Sequence, residues 1–202
     1  KDFHFATTNT SNKVISENIK KYKFCPLINE NNLLLGIYSD RSSKIFIGEH
    51  EISNEKPSFI IAEVGNNHNG NLKLAKQLVD LAKEAGANCV KFQMRDMESL
   101  YKFRNDVSED LGTQYVVGLL DKYQLSDEEL FEAFDYAKKI QIIPLCTPWD
   151  IESLKKLEQY GMSAYKVASA DLTNTPFLES LVETGKTLIV STGMSTEMEI
   201  RE

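Results

Sequence analysis

Short apolar runs alternate with amphipathic segments along the chain beyond residue 45. The runs are rich in branched and aromatic residues and are bounded by turn residues, which is typical of strands covered on both faces. They predict strands at Phe59–Val64, Asn88–Gln93, Gln141–Thr147, Ala164–Ala168 and Thr187–Ser191.

The segments between these strands carry helix start and stop signals. Glycines at Gly86, Gly161 and Gly185 end three helices and lead within a few residues into the next strand. Strand–helix repetition of this kind predicts an α/β fold with a parallel sheet. The start signals are the caps Asn71 and Asp150, the pair Thr175–Pro176, and the capping boxes Ser126 with Glu129 and Thr196 with Glu199.

Polar residues follow each predicted strand, which favours a (β/α)8 TIM barrel over a doubly wound sheet. A barrel takes functional residues from many strands, whereas a doubly wound sheet concentrates them at one switch point. A complete barrel has eight βα units in about 250 residues, and this chain of 202 residues supplies five predicted strands. We therefore interpret residues 45–202 as the first five βα units, the N-terminal part of a longer barrel.

Residues 1–44 predict a small α+β segment with a helix at Val14–Tyr22 and strands at Cys25–Ile28 and Leu33–Tyr38. Glu30-Asn31-Asn32 is a turn signal between the two strands. The stretch FCPLINENNLLLGIYSD resembles the hairpin of a CBS domain, a module that usually binds adenine nucleotides in pairs. Nucleotide binding by this segment and a purely structural role both stay open.

Composition narrows the class of protein. With 42% hydrophobic and 26% charged residues the chain is typical of globular proteins. A net charge of −7 argues against a general nucleic-acid binder. No apolar run reaches the roughly 18 residues that a membrane span needs. Cys25, Cys89 and Cys146 are odd in number and lack metal-ligand spacing, which predicts buried free thiols in a cytoplasmic protein.

Two lysines stand inside apolar strand segments, Lys91 in VKFQ and Lys166 in YKVAS. A lysine in such a place is costly unless an anion or a carboxylate meets it. Two of them at one sheet edge predict a site for a small molecule with several negative charges. The alternative is structural, with the lysines in salt bridges to Glu63 and Asp171. The hydroxyl groups expected to donate to the same anion are those of Thr147, Ser169 and Ser191.

The segments AEVGNNHNG, VKFQ, CTPWD, YKVASAD and STGM resemble, in the same order, motifs of the sialic acid synthase family. The resemblance covers roughly residues 45–202 and implies an enzyme of carbohydrate biosynthesis. Such an enzyme condenses phosphoenolpyruvate with an N-acyl amino-hexose such as N-acetylmannosamine, giving a nine-carbon sialic-type acid and phosphate. Two alternatives stay open: another phosphoenolpyruvate-condensing 3-deoxy sugar acid synthase, and an inert fragment for nucleotide binding or assembly.

The resemblance also implies roles for residues of this chain. Glu63 matches an acidic position near the sugar, and we expect it to handle a proton or orient the sugar. Asp171 matches an acidic position that binds a sugar hydroxyl or assists proton transfer. The positions that match those holding the phosphate and carboxylate of phosphoenolpyruvate are Lys91, Lys166, Ser169 and Ser191. The further expected substrate contacts are Gln93, Thr147, Asn67 and Asn174.

The family uses a divalent metal, usually Mn²⁺ or Mg²⁺, whose histidine ligands come from later strands. We therefore expect the metal ligands to lie outside this chain, and His68 to order its loop or face the substrate. The full-length proteins of the family are commonly homodimers in which a C-terminal antifreeze-like domain reaches over the partner's barrel.

The connection Met94–Gln124 is unusually long for a βα loop. Long connections at this edge commonly cover the active site, and a solvated loop is the equal alternative. The aromatic residues Trp149 and Phe131 are expected in the core. The polar and aromatic residues that the connection offers are Arg95, Tyr101, Arg104 and Tyr115.

Overall fold

The computed structural model describes residues 5–7, 9–22, 24–31, 34–39, 44–100 and 118–201. The chain divides into two compact units, Lys1–Ile45 and Phe46–Glu202. In the described part, no helix has the length and apolar character that crossing a membrane requires.

The first unit holds a helix and an antiparallel hairpin, so the elements predicted for it are confirmed. Ala6 lies against the hairpin, donating its N–H to the Pro26 carbonyl and accepting from the Ile28 N–H. Asn32 of the predicted turn and Leu33 of the predicted strand lie outside the described residues. The elements are α1 (Asn12–Tyr22), β1 (Phe24–Ile28) and β2 (Leu34–Ser39).

The second unit is built on a parallel five-stranded sheet whose strand order follows the chain. The predicted strands are confirmed, with ends that shift by no more than two residues. The sequence did not predict the two-stranded sheet that precedes them, β3 (Ile45–Ile47) and β4 (His50–Ile52), because three-residue strands are too short to show a period. The five strands are β5 (Ile61–Gly65), β6 (Cys89–Met94), β7 (Ile143–Pro148), β8 (Ala164–Val167) and β9 (Thr187–Val190).

Helices follow the strands, and their predicted caps are present. Asn71 accepts from the Leu74 N–H at 3.0 Å, and both halves of the Ser126–Glu129 capping box are formed. The helices are α2 (Leu72–Glu84), α3 (Met97–Leu100), α4 (Asp127–Lys139), α5 (Ile151–Tyr160), α6 (Thr175–Glu183) and α7 (Glu197–Arg201), and residues 118–123 are also helical. Tyr101, Arg104 and Tyr115 of the long connection lie outside the described residues.

Helices α2, α4, α5 and α6 all pack on one face of the sheet. Buried residues from each of them join Phe92 and Val167 in one apolar cluster. A doubly wound sheet would carry helices on both faces, so the single helical layer agrees with the predicted α/β fold and parallel sheet. The closed eight-stranded barrel stays a prediction, because these strands form an open sheet with β5 and β9 at its edges.

The opposite face of the sheet is apolar where the strands begin and polar where they end. Ile47, Cys89, Leu145 and Ala164 form a small buried cluster there. All three cysteines of the chain are buried and free, which confirms the thiol prediction. Burial raises the pKa of Cys89 to about 12, so this thiol is inert near neutral pH.

Candidate active site

Lys91 and Glu63 stand opposite each other in the register of β5 and β6. The Lys91 Nζ lies 2.7 Å from Glu63 Oε2 and donates to Thr147 Oγ1 at 3.3 Å. Lys91 is buried, whereas the Glu63 side chain is 53% exposed. The structural alternative therefore holds in part, since Glu63 pairs with Lys91. The Thr147 hydroxyl accepts from the lysine and keeps its own proton for a ligand.

Lys166 occupies the same face of the sheet on β8. Its Nζ donates to Ser191 Oγ and to the Val167 carbonyl, both at 2.5 Å. Among the residues that the structure describes, no carboxylate forms a salt bridge with Lys166. Burial lowers the pKa of the Lys166 ammonium, and the positive charge of Lys91 lowers that pKa further, while Glu63 raises it. Two ammonium groups that repel each other on one face make a site suited to an anion.

Asp171 ends a short 3₁₀ turn, Ser169–Asp171, that follows β8. Its carboxylate is buried, and Oδ1 accepts from Asn174 Nδ2 at 3.1 Å. Oδ2 is also buried, and no partner for it exists in the described part of the chain. The structural alternative, in which Asp171 pairs with a lysine, therefore does not hold among the described residues. A buried acceptor without a partner costs about 1–3 kcal/mol, and a ligand donor would remove that cost.

Ser169 and Asn67, two further expected contacts, are placed differently. Ser169 lies beside Gly193 in the loop after β9, where a Cβ on the glycine would stand 3.6 Å from the serine Cβ. Asn67 is exposed in the loop after β5, and its N–H donates to the Val64 carbonyl at 2.9 Å. The backbone of Asn67 thus forms a turn contact, and its side chain has no hydrogen-bond partner among the described residues.

His68 orders the loop after β5, as predicted. Its side chain is buried, accepts from the Gly70 N–H through Nδ1 at 3.2 Å, and stacks on Phe92 with ring centroids 6.2 Å apart. Burial lowers the pKa of the imidazole, with a smaller opposite effect from its hydrogen bond to the Gly65 backbone. Phe92 belongs to the helix-facing cluster, so His68 lies away from the polar face.

Gln93 lies on the polar face near the end of β6. Its side chain accepts hydrogen bonds from two residues that the sequence analysis did not assign to the site. Arg95 Nη2 donates to Gln93 Oε1 at 2.5 Å, and Trp149 Nε1 donates to the same oxygen at 3.3 Å. The Arg95 guanidinium also stacks on the Trp149 ring, 4.4 Å from its centroid. The core prediction for Trp149 is therefore wrong, whereas Phe131 packs on the core against Tyr160 as expected.

A sequence signal for Arg95 and Trp149 does exist. Gln93 and Thr147 are paired in the register of β6 and β7, and Arg95 and Trp149 each stand two positions beyond those partners. Positions two residues apart share a face of a strand. The pairing of the two strands, which the sequence does not state, is what turns this spacing into a contact.

The described residues do not fit a divalent-metal site. Across the described ranges, no group of three His, Cys, Asp or Glu side chains is close enough to hold an ion. Glu63 is engaged by Lys91, and His68 Nδ1 by the Gly70 N–H.

Ligands of parallel α/β proteins bind at the carboxyl ends of the strands, and here that edge carries lysines, hydroxyls and carboxylates. The fold and the site define an α/β protein whose parallel sheet carries two lysines on one face near the carboxyl ends of the strands. The model of the NeuB family matches residues 78–202. The chain belongs to the NeuB family.

Individual relatives agree with the family match. N,N'-diacetyllegionaminic acid synthase of Campylobacter jejuni is 35% identical over 73% of this chain and 46% of its own length. An uncharacterized protein of Methanocaldococcus jannaschii is 40% identical over 79% of this chain and 44% of its own length. The crystal structure of N-acetylneuraminic acid synthetase from Leptospira borgpetersenii, in complex with citrate, superposes with a TM-score of 0.69 at 32% identity, covering 79% of this chain and 53% of that one. The chain spans about half the length of the relatives it matches.

Proposed function

We propose that the protein carrying this chain condenses phosphoenolpyruvate with an N-acyl amino-hexose of the N-acetylmannosamine type. The products are a nonulosonic acid and inorganic phosphate. The observation that carries the proposal is the pair Lys91 and Lys166, two ammonium groups that share one face of the sheet near the carboxyl ends of their strands, with Lys91 buried and Lys166 partly buried. Family membership and the named synthases among its relatives support this chemistry over other anion-binding functions.

The lysines bind the phosphate and carboxylate of phosphoenolpyruvate. Lys91 donates to the hydroxyl of Thr147 on the neighbouring strand, and Lys166 donates to that of Ser191, the residue directly after β9. Each hydroxyl then donates its own proton to the anion, so the site offers four donors on or next to the strands of the sheet. Ser169, beside the loop after β9, supplies a further hydroxyl.

The reaction joins C3 of phosphoenolpyruvate to the aldehyde carbon of the open-chain sugar. Positive charge develops at C2, water adds there, and the tetrahedral intermediate expels phosphate by C–O cleavage. Glu63, half exposed beside Lys91, orients the sugar or moves a proton at its hydroxyl. Asp171 accepts from a sugar hydroxyl through Oδ2, which otherwise has no partner among the described residues. Gln93 and Asn174 line the same edge, and we keep Asn67 as a weaker candidate.

The architecture of the whole protein is part of the proposal. Residues 45–202 form the N-terminal part of a (β/α)8 TIM barrel, which is supported by a strand order that follows the chain and by a single layer of helices. Residues 1–44 form a separate CBS-like segment. We further propose a cytoplasmic homodimer, and a Mn²⁺ or Mg²⁺ ion whose ligands lie elsewhere in the protein.

The proposal is tested by incubating the protein with phosphoenolpyruvate and a panel of aldehyde sugars. We expect phosphate release only with N-acyl amino-hexoses, and an ¹⁸O label at the bridging oxygen should appear in the phosphate. Preference for a sugar without an N-acyl group would indicate another 3-deoxy sugar acid synthase. Adenylate binding without phosphoenolpyruvate binding would overturn the proposal in favour of an inert module.

A further inference from the structure

We infer that Arg95 and Trp149 are positioning residues that fix the Gln93 side-chain amide as a hydrogen-bond donor toward the substrate. The inference rests on the proposed function and deepens it. It concerns the contacts Arg95 Nη2 to Gln93 Oε1 at 2.5 Å and Trp149 Nε1 to Gln93 Oε1 at 3.3 Å.

The chemistry of the two neighbours decides how the amide is turned. Guanidinium and indole nitrogens are donors only, with no acceptor to offer. A flipped Gln93 would point its own NH₂ at two donors, so the amide has one acceptable orientation. Both lone pairs of Oε1 are then used, and Gln93 meets a substrate only as a donor through Nε2.

The position of Nε2 shows where that donor points. An ideal Cβ built on Gly65 would stand 3.2 Å from Gln93 Nε2 and 2.9 Å from Glu63 Oε1. The donor of Gln93 and an acceptor of Glu63 thus flank a residue that has no side chain. Because Glu63 Oε2 is held by Lys91 at 2.7 Å, this donor–acceptor pair lies next to the anion site.

The partner of Gln93 Nε2 must be an acceptor oxygen, such as a carbonyl or hydroxyl of the sugar. The stack of Arg95 on Trp149, 4.4 Å from the ring centroid, keeps both donors in place. Arg95 and Trp149 therefore act on sugar recognition through Gln93 without touching the sugar.

A double-mutant cycle tests this coupling in the whole enzyme. Trp149→Phe keeps an aromatic ring and removes the indole N–H, and we expect it to raise the KM for the sugar about fivefold. The KM for phosphoenolpyruvate should stay unchanged. In a Gln93→Leu background the same substitution should add less than about a twofold effect. Independent, multiplying effects, or equal changes in both KM values, would overturn the inference.

Arg95→Lys provides a second test of the positioning role, and Tyr160→Phe provides a control. Arg95→Lys keeps the charge and loses the planar stack, so it should give the same sugar-specific change if Trp149→Phe fails to fold. Tyr160→Phe removes another aromatic donor, which bonds Asp135 at 2.6 Å on the helix side, and should change neither KM.

A second readout does not depend on catalysis. The Trp149 indole N–H can be followed by hydrogen exchange after selective ¹⁵N labelling, because its signal is identified by its loss in Trp149→Phe. Gln93→Leu should speed that exchange, and Tyr160→Phe should not. An unchanged indole exchange rate would contradict the positioning role even if the enzyme condenses its substrates. Absence of condensation with altered exchange would instead overturn the proposed function alone.

Discussion

The two faces of the five-stranded sheet carry opposite chemistry although the same strands build both. In β6, Val90 and Phe92 are fully buried against the helices, while Lys91 and Gln93 occupy the other face. Alternation with a period of two separates them. One face stabilises the fold by burial of apolar area, and the other gathers charge at the strand ends.

Polar groups near the polar face lack hydrogen-bond or charge partners, whereas the helix-facing side of the sheet is well packed. Asp171 Oδ2 is buried without a described partner, and the pKa of Lys166 is lowered by burial and by Lys91. Both features cost stability in the free protein. A bound anion would relieve the repulsion between the lysines, and a hydroxyl donor of a sugar would satisfy Asp171 Oδ2. We therefore expect substitutions on the helix-facing side to lower stability and substitutions on the polar face to weaken ligand binding.

The largest difference in the free energy of unfolding is expected between substitutions at the neighbouring residues Phe92 and Lys91, which lie on opposite faces of β6. Phe92→Ala removes a fully buried ring and should lower the free energy of unfolding by about 3–5 kcal/mol. Lys91→Met should change that free energy by less than about 1 kcal/mol, because the Glu63 carboxylate that loses its partner is 53% exposed and stays solvated. Denaturant unfolding measures both values, and equal losses would contradict the separation of the two faces.

Lys166→Ala should raise the KM for phosphoenolpyruvate at least about 100-fold, because charge-assisted hydrogen bonds to the anion are lost. The fold should be largely intact. Lys186→Ala is the matched control, since that lysine pairs with Glu158 at 2.5 Å on the helix side and should leave the KM unchanged. Loss of folding in Lys166→Ala would instead support a structural role for this lysine.

Two glycines of the second unit provide a matched pair of substitutions. Gly65 and Gly86 both have positive φ, 51° and 81°, so alanine at either should cost about 1 kcal/mol of stability. Nothing lies within 4 Å of a Cβ on Gly86, whereas on Gly65 it would press on Glu63 and Gln93. Steady-state kinetics should show a higher KM for the sugar in Gly65→Ala only. A raised KM in both variants would point to a general loss of order.

The smallest effect is a pH dependence of phosphoenolpyruvate binding. Lys166 has a lowered pKa, and only its protonated form attracts the anion. Affinity should therefore fall as pH rises, starting below the ordinary lysine pKa of about 10.4. Lys166→Arg should move the fall to higher pH, because guanidinium stays protonated. Affinity that is flat up to that pH in the unaltered protein would contradict a role for Lys166.

Much of this fold follows from local signals in the sequence. The strands, the Asn71 cap and the Ser126–Glu129 box were predictable because apolar runs and caps act over a few residues. The grouping of Lys91 and Lys166 followed from strand ends meeting at one edge. The Gln93 contact with Trp149 was not predictable, because it joins residues 56 positions apart and depends on strand register.

We propose that Lys91 and Lys166 form an anion site on the polar face of the sheet. Calorimetric titration of phosphoenolpyruvate into the protein, with Mn²⁺ and then without, measures binding at this site. We predict saturable binding that is lost in the double variant Lys91→Met, Lys166→Ala and kept in Lys186→Ala. Undiminished binding by a folded double variant would contradict the claim.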